Sequence, residues 1–198
     1  DLEMPLDLGP IPRLVSMIHM VGQDASLEDP SLLASEIGRV IRERWAASLD
    51  PDTADWLRCQ LGAVAGGKPR LLEFSSHGDG NHGLVAGGTG AGKSEMLMTM
   101  ILDMALRYDP QILNFVLVDY KGGGAFKAFE SMPHCVDMLS NLDESAVDRM
   151  FVSIEAEVKR RQALNADFEV KDIVDYRKKG LHLPDNPKGG GPYPHLFK

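Results

Sequence analysis

The sequence predicts an α/β fold, in which strands and helices alternate and a mostly parallel sheet carries helices on both faces. Three observations predict it. In the stretch GLVAGGTGAGKSEM, residues 83–96, a short apolar segment at 83–87 runs straight into a glycine loop, and a helical pattern follows. A second run, residues 112–120, is almost continuously apolar, which is typical of a parallel strand covered on both faces. Segments with helical periodicity lie after each of these runs.

The chain begins with a segment that we interpret as a linker and a helical appendage, residues 1–62, ahead of a main domain at 63–198. Residues 1–12 are proline-rich, which indicates an extended arm. Apolar residues at helical spacing after Pro30 predict an amphipathic helix over 31–48. Because this helix precedes the alternating elements, we expect it to pack on the main domain as an appendage.

The main domain is predicted to alternate strand and helix to its end. Strands are expected over residues 70–74, 83–87 and 112–120, and a strand with its following loop over 134–142. Another strand is expected to begin at 195–197. Helices are expected over residues 94–108, 143–166 and 172–180, with a short one after the glycines at 122–124. The Asp109-Pro110 pair is expected to end the first of these helices, and Gly180 the last.

Composition narrows the class of protein. The net charge is −8, so the chain has no overall attraction for nucleic acid, which proteins bind chiefly through Lys and Arg. The two cysteines are far apart and form no metal or disulfide pattern, as in a reducing cytoplasm. No run approaches the ~18 apolar residues of a membrane span, and we expect no signal peptide, because the sequence opens with acidic and proline residues. The chain does not start with Met, so we expect a piece of a longer protein that carries any membrane anchor elsewhere.

The stretch at 83–96 contains the phosphate-binding pattern G-x-x-x-x-G-K-[ST]. Glycines allow backbone conformations that other residues avoid, so consecutive N–H groups can point at a phosphate, and the helix that follows adds its positive dipole end. Lys93 is predicted to reach the β- and γ-phosphates of ATP as a catalytic group, and the Ser94 hydroxyl to ligate Mg²⁺. The predicted nucleotide-binding residues are Gly87, Gly88, Thr89, Gly90, Ala91, Gly92, Lys93 and Ser94.

Hydrolysis requires an acidic residue at the end of a second strand, and Asp119 is the candidate within this sequence. No glutamate follows it to orient a water, since Tyr120 and Lys121 come next. Three interpretations stay open for its carboxylate. It holds Mg²⁺, it acts near the phosphates through another group, or it only ends the strand.

Several motifs together resemble the FtsK/SpoIIIE family of P-loop ATPases. They are HGLVAGGTGAGKSEM, LNFVLVDYKGGGAF, MPH, SNL, VDRM, and EVKRRQ followed by DY. Within the family, the sequence looks most like the first ATPase domain of EccC-type motors of type VII (ESX) secretion systems. The resemblance covers residues 70–197, and its most specific motifs are VDYKGG after the phosphate loop and RRQ late in the long helix.

The resemblance implies a RecA-like P-loop NTPase domain that uses ATP and Mg²⁺ and acts with other ATPase subunits or domains, in a hexameric ring or a tandem array. It implies that ATP hydrolysis drives export of a secreted protein substrate with a C-terminal signal, from the cytoplasmic side of the cell membrane. Two alternatives remain. One is a DNA translocase of the same family, which the acidic composition disfavours, and the other is a nucleotide-binding or signal-peptide-binding module without turnover.

The sequence departs from the family pattern at its end. In the family, a strand that begins like PHLF continues to an Asp-Glu pair, the Walker B motif, whereas here Lys198 follows Phe197. The resemblance therefore implies that the catalytic Asp-Glu lies beyond Lys198 and that Asp119 is a neighbour on the adjacent strand. It also implies low activity for this segment alone, because such ATPases take a catalytic arginine from a neighbouring subunit.

Overall fold

The computed structural model describes residues 30–50, 57–75, 78–119, 124–140 and 144–191. The chain divides between Arg44 and Trp45 into two compact units. The second unit contains, in chain order, β1 (Arg58–Ala63), β2 (Pro69–Glu73), α2 (Lys93–Arg107), β3 (Phe115–Asp119), a 3-10 turn (Lys127–Phe129), β4 (Cys135–Ser140), α3 (Glu144–Asp167) and α4 (Ile173–Lys178).

Helix α1, Pro30–Ser48, begins in the first unit and confirms the helix predicted over 31–48. Its solvent side carries an ion-pair ladder in which Arg39 bonds to both Glu36 and Glu43. Pairs spaced three and four residues apart lie on the same face of a helix, so this ladder supports the helix locally.

Strands β1 and β2 form an antiparallel hairpin in which Cys59 lies opposite Leu72. Gly66 and Gly67 make its turn, with φ angles of 87° and 75° that favour glycine. Strand β2 confirms the strand predicted at 70–74. Strand β1 was not predicted, because its sequence RCQLGA contains few of the β-branched and aromatic residues that mark strands.

The hairpin packs against helix α2 and the segment that follows it. Cys59 is fully buried among Met104, Tyr108 and Ile112. The boundaries of α2 agree closely with the helix predicted over 94–108. Because α2 begins at Lys93, within the phosphate-binding pattern, this core fixes the orientation of the helix at the predicted site.

Strands β3 and β4 pair in parallel, with Val116 opposite Asp137 and Asp119 opposite Ser140. On one face, Leu117 packs with Ile101 of α2. On the other, Val116 borders a cavity of about 510 Å³ whose remaining wall includes residues of α3. Helices therefore lie on both faces of this pair, as predicted, but Val116 stays 39% exposed, so coverage is less complete than expected.

A small C-terminal cluster holds α4 and the loop after it against the end of α3. Its buried members are Val170, Tyr176 and Leu181. The Tyr176 hydroxyl donates to the carbonyl oxygen of Gly191 at 2.9 Å, which ties the loop to α4. Gly180, with φ 64°, ends α4 as predicted.

One predicted strand is absent from the described part of the chain. Residues 83–87 pair with no neighbouring strand there, and Leu84 at their centre is 93% exposed. A strand is stabilised by a hydrogen-bonded neighbour, and the described sheets are the pairs β1–β2 and β3–β4, so this segment is irregular. The strand predicted at 195–197 lies outside the described residues, and a larger RecA-like sheet stays a prediction.

Candidate functional site: the phosphate loop and its helix

The glycines of the predicted phosphate loop adopt the conformations that such a loop requires. Gly90 and Gly92 have φ angles of 80° and 82°, in the left-handed region that favours glycine. A Cβ atom at Gly88, Gly90 or Gly92 would meet no atom within 4 Å, so open space faces all three. The loop therefore presents its backbone to an open surface, where a phosphate can approach closely.

The first turn of α2 faces this loop. The N-cap residue is Gly92, which has no side chain to accept a hydrogen bond from the first N–H groups of the helix. Such N–H groups and the positive end of the helix dipole favour an anion. The residues present thus fit the phosphates of a nucleotide.

Lys93, the first residue of α2, lies across the loop. Its ammonium Nζ donates to the carbonyl oxygen of Gly87 at 2.6 Å and to that of Gly88 at 2.7 Å. Gly88 also accepts from the N–H of Ala91 at 3.2 Å, which closes the turn. The structure therefore brings together the lysine and the loop that the sequence predicted to act together.

Ser94 and Thr89 are exposed beside the same loop. Ser94 lies in the first turn of α2, next to Lys93. Its hydroxyl oxygen is suited to Mg²⁺, because this cation prefers oxygen ligands. Thr89 stands at the tip of the loop between the open glycines. Both roles stay predictions.

Asp119 ends β3 beside Ser140, the last residue of β4. The carboxyl ends of parallel strands form one edge of a sheet, and ligands of open α/β sheets bind outside that edge. Asp119 is half-buried there. This position is compatible with a role near the phosphates, which stays a prediction.

Asp103 fastens α2 to the hairpin, although no pattern in the sequence singles it out. It is 7% exposed, and its Oδ2 accepts from the backbone N–H of Gln60 and from Nε of Arg107, each at 2.7 Å. A buried carboxylate requires such partners. The charge of Asp103, after burial, also helps raise the pKa of the Cys59 thiol to about 11.

The far end of α2 is held by the end of α1 and by the residue that precedes β4. Trp45 donates from Nε1 to the carbonyl oxygen of Ala105 at 2.8 Å, and the N–H of Asp109 donates to Oγ of Ser48 at 2.9 Å. His134 is 1% exposed, packs edge-on against Trp45, and donates from Nε2 to the carbonyl oxygen of Tyr108 at 2.7 Å. Burial lowers the pKa of His134.

Two buried side chains from α4 and its following loop hold the backbone after α1. Arg177 donates from Nη2 to the carbonyl oxygens of Ser48 at 2.6 Å and Asp50 at 3.2 Å, and His182 donates from Nε2 to Leu49 at 2.7 Å. Burial lowers the pKa of Arg177 to about 10. Burial and the neighbouring guanidinium also lower the pKa of His182.

No signal in the sequence identifies these anchors. Each anchor is isolated in the sequence, and the partner in its long-range hydrogen bond lies 43 to 133 residues away. The anchors are Trp45, Asp103, Arg177 and His182. Only the fold brings them to their partners on α2, in the hairpin and after α1. None of the described helices combines the length and the apolar composition that a membrane span requires.

The glycine conformations, the uncapped start of α2 and the position of Lys93 define a P-loop nucleotide-binding protein. Residues 43–189 match the model of the FtsK/SpoIIIE family, and the chain belongs to this family of P-loop ATPases. The resemblance seen in the sequence is thereby confirmed.

Known proteins of type VII secretion are similar to this chain. The ESX secretion system protein EccC of Geobacillus thermodenitrificans is 40% identical over 153 residues, which is 72% of this chain and 10% of that protein. The type VII secretion system protein EssC of Staphylococcus aureus is 40% identical over 194 residues, 93% of this chain and 12% of that protein.

A solved structure, the cytoplasmic domain of the Thermomonospora curvata type VII secretion ATPase EccC, is also similar. The two structures superpose with a TM-score of 0.51 at 39% sequence identity. The match covers 59% of the present chain and 15% of the EccC chain. The chain thus spans 10% and 12% of the length of the two secretion proteins above.

Proposed function

We propose that this chain is an ATP-binding motor domain of a membrane-anchored type VII secretion ATPase, which couples ATP hydrolysis to the export of protein substrates. The observation that carries the proposal is the open glycine loop at the start of α2 with Lys93 lying across it. Similarity to EccC and EssC supports the secretion assignment over other uses of a P-loop.

Each loop residue has a role in this proposal. The backbone from Gly87 to Gly92 cradles the phosphates, Lys93 neutralises charge on the β- and γ-phosphates, and Ser94 offers its hydroxyl to Mg²⁺. When bound, Mg²⁺ would supply positive charge that neutralises the phosphates. Asp119 acts from the neighbouring strand end, and the Asp-Glu pair that activates water is proposed to lie beyond Lys198.

The proposed partners are further ATPase subunits or domains and a secreted protein with a C-terminal signal. The motor would work at the cytoplasmic side of the membrane through an anchor outside this sequence. DNA is a less suitable cargo, because the net charge of −8 opposes contact with phosphates.

Nucleotide binding by the chain tests the site. Lys93→Ala should abolish binding of Mg²⁺-ATP measured by isothermal titration calorimetry, because it removes the only cation placed across the described loop. Lys127→Ala is a matched control, since Lys127 is an exposed lysine in the 3-10 turn. Unchanged affinity in Lys93→Ala would remove the site assignment.

Turnover distinguishes the motor from a binding module. The longer protein that contains this segment should hydrolyse ATP when assembled and supplied with its substrate, and Asp119→Asn in that protein should lower the rate more than it lowers ATP affinity. ATP binding without any hydrolysis under those conditions would favour the module. Stimulation of hydrolysis by DNA, but not by secreted protein, would favour the translocase.

A further inference from the structure

The last turn of helix α1 supplies hydrogen bonds that the far end of α2 lacks. Within an α-helix, the N–H of Asp109 would donate to the carbonyl oxygen of Ala105, four residues earlier. Instead, Nε1 of Trp45 donates to that carbonyl oxygen at 2.8 Å, and the N–H of Asp109 donates to Oγ of Ser48 at 2.9 Å. Two residues of α1 therefore take both members of the missing pair.

The missing pair is disfavoured within α2 itself. Pro110 follows Asp109, and a residue that precedes a proline avoids the helical conformation. Without α1, the carbonyl of Ala105 and the N–H of Asp109 would each lose their partner, and Ala105 is only 5% exposed. Leaving buried polar groups unpaired is costly. The end of α2 therefore depends on the position of α1.

The last turn of α1 is itself firmly held. Ser48 is 5% exposed, and its Oγ donates to the carbonyl oxygen of Trp45 at 2.7 Å while it accepts from Asp109. The carbonyl oxygen of Ser48 accepts from Arg177 at 2.6 Å. The ring of Trp45 packs edge-on against that of His134, with centroids 5.2 Å apart. Movement of this turn is therefore passed to α2 through fixed contacts.

Helix α1 is reinforced ahead of this turn. It continues without a break from the first compact unit into the second. Its one interior glycine is Gly38, a weak position because glycine is a poor helix former. Arg39 bonds to Glu36 on one side of this glycine and to Glu43 on the other. The ion pairs therefore bridge the weakest point of the helix.

We propose that α1 is a coupling helix, in which a shift of the preceding chain moves the far end of α2 and so changes the affinity of the phosphate loop for nucleotide. Trp45 and Ser48 are the positioning residues through which it acts. The proposal rests on the proposed nucleotide site and adds a form of regulation to it. Because coupling between two sites is reciprocal, nucleotide binding also changes the environment of Trp45.

The first experiment tests the bond from Trp45 to α2. Trp45→Phe keeps an aromatic ring against His134 but removes the N–H that donates to Ala105. In ¹⁵N NMR spectra of the chain, the amide signal of Gly90 in the phosphate loop should then shift. Ala46→Ser is the matched control, because Ala46 is an exposed neighbour in the same turn, and it should leave that signal in place. An unchanged Gly90 signal in Trp45→Phe overturns the coupling.

Ser48→Ala tests the second contact. It removes the hydroxyl that accepts from the N–H of Asp109, so the Asp109 amide should exchange faster with solvent. This variant and Trp45→Phe should each weaken binding of Mg²⁺-ATP about fivefold in isothermal titration calorimetry, at the lower end of the usual coupling between two sites. Wild-type affinity in both variants overturns the regulatory role of α1.

The second experiment leaves the coupling contacts intact. The chain has two tryptophans, so Trp56→Phe makes Trp45 the single tryptophan. Its fluorescence should change on adding Mg²⁺-ATP, with the same concentration dependence as ATP binding measured by calorimetry. The same chain with Lys93→Ala added should show no change. A constant Trp45 signal while ATP binds contradicts the coupling.

The third experiment changes the helical phase of α1 in the longer protein that contains this segment. Two alanines inserted after Ala34 rotate the preceding chain by about 200°, whereas seven rotate it to within about 20° of two full turns. The first insertion should change ATP turnover about threefold or more, and the second should restore most of the original rate. Two residues inserted between Gly66 and Gly67, in the hairpin turn, are the control. Equal rates with both α1 insertions overturn the coupling.

These outcomes separate the coupling from the proposed function. A Gly90 signal that responds to Trp45→Phe, in a chain that fails to bind ATP, leaves the link from α1 to the loop standing and removes the proposed function. ATP binding in a chain whose loop signals ignore Trp45→Phe does the reverse.

Discussion

Arg177 donates from Nη2 to the carbonyl oxygen of Ser48 at 2.6 Å, across 129 residues of sequence. Arg177 also donates to the carbonyl oxygen of Asp50 at 3.2 Å, and His182 donates to that of Leu49. Together the two side chains hold three consecutive carbonyls. Backbone carbonyls at a helix end lack partners within the helix. The C-terminal part of the chain therefore completes the end of α1.

Removing this guanidinium should destabilise the fold. Arg177→Met retains bulk but leaves the carbonyls of Ser48 and Asp50 without their charged donor, at an expected cost of about 2–3 kcal/mol. The measurement is the midpoint of urea unfolding followed by circular dichroism. Lys178→Met is the control, because this neighbouring residue of α4 is exposed, and equal midpoints for the two variants would contradict the role of Arg177.

Stability should fall with acid through two buried histidines. Burial holds the pKa values of His134 and His182 below the ordinary value of 6.5. The histidines of the unfolded chain therefore bind protons more readily than those of the folded chain. The contribution of the two histidines to the free energy of unfolding is complete above pH ~6.5 and is lost as pH falls through their folded-state pKa values. Within that window each histidine contributes a slope of up to about 1.4 kcal/mol per pH unit.

Urea unfolding at several pH values between 5 and 8 measures this slope. The charges that face these rings include Arg177 beside His182, which opposes protonation, and Asp109 near His134, which partly favours it. The double variant His134→Gln/His182→Gln should show a flatter dependence on pH. An equally steep dependence in that variant would assign the effect to other groups.

Gly190 should tolerate no side chain. A Cβ there would lie 2.6 Å from Oη of Tyr176, 2.7 Å from Cε2 of Phe168 and 2.9 Å from Cδ2 of Leu164. Gly190→Ala should therefore lower the free energy of unfolding by about 1–3 kcal/mol, the usual cost of overpacking. Gly83→Ala, where a Cβ meets nothing within 4 Å, should be close to neutral in the same urea titration.

The Cys59 thiol should resist modification in the folded chain. It is fully buried, and burial raises its pKa to about 11, so about one molecule in a thousand carries the reactive thiolate at pH 8. In Cys135→Ser, which leaves Cys59 as the single thiol, labelling with a disulfide reagent should be slow and should accelerate on adding urea. Rapid labelling without denaturant would contradict this burial.

The order of apolar, glycine and proline residues along short stretches of the sequence predicted much of this fold. Helix α2 and strand β4 follow from runs of apolar residues and from the Asp109-Pro110 stop, all of which are encoded within about fifteen residues. The phosphate loop followed from glycine spacing, because its conformation depends on single residues. The roles of its residues remain predictions that the binding measurements address.

Features that depend on distant partners were not predicted. Strand β1 has little strand propensity of its own and is stabilised by pairing with β2 and by Asp103 at Gln60. The strand predicted at 83–87 has the right composition but has no partner strand in the described chain. Pairing and burial of this kind are tertiary effects, which override local propensity.

The three anchors at the far end of α2 have a mechanical consequence. Trp45, Ser48 and His134 hold the region from Ala105 to Asp109, whereas the opposite end of the helix carries Lys93. Fifteen residues at 1.5 Å each make a lever of about 22 Å, so a tilt of one degree about the anchored end moves Lys93 by about 0.4 Å. Small rotations of α2 about its anchored end would thus change the distance between the Lys93 ammonium and a phosphate by amounts that matter for a hydrogen bond.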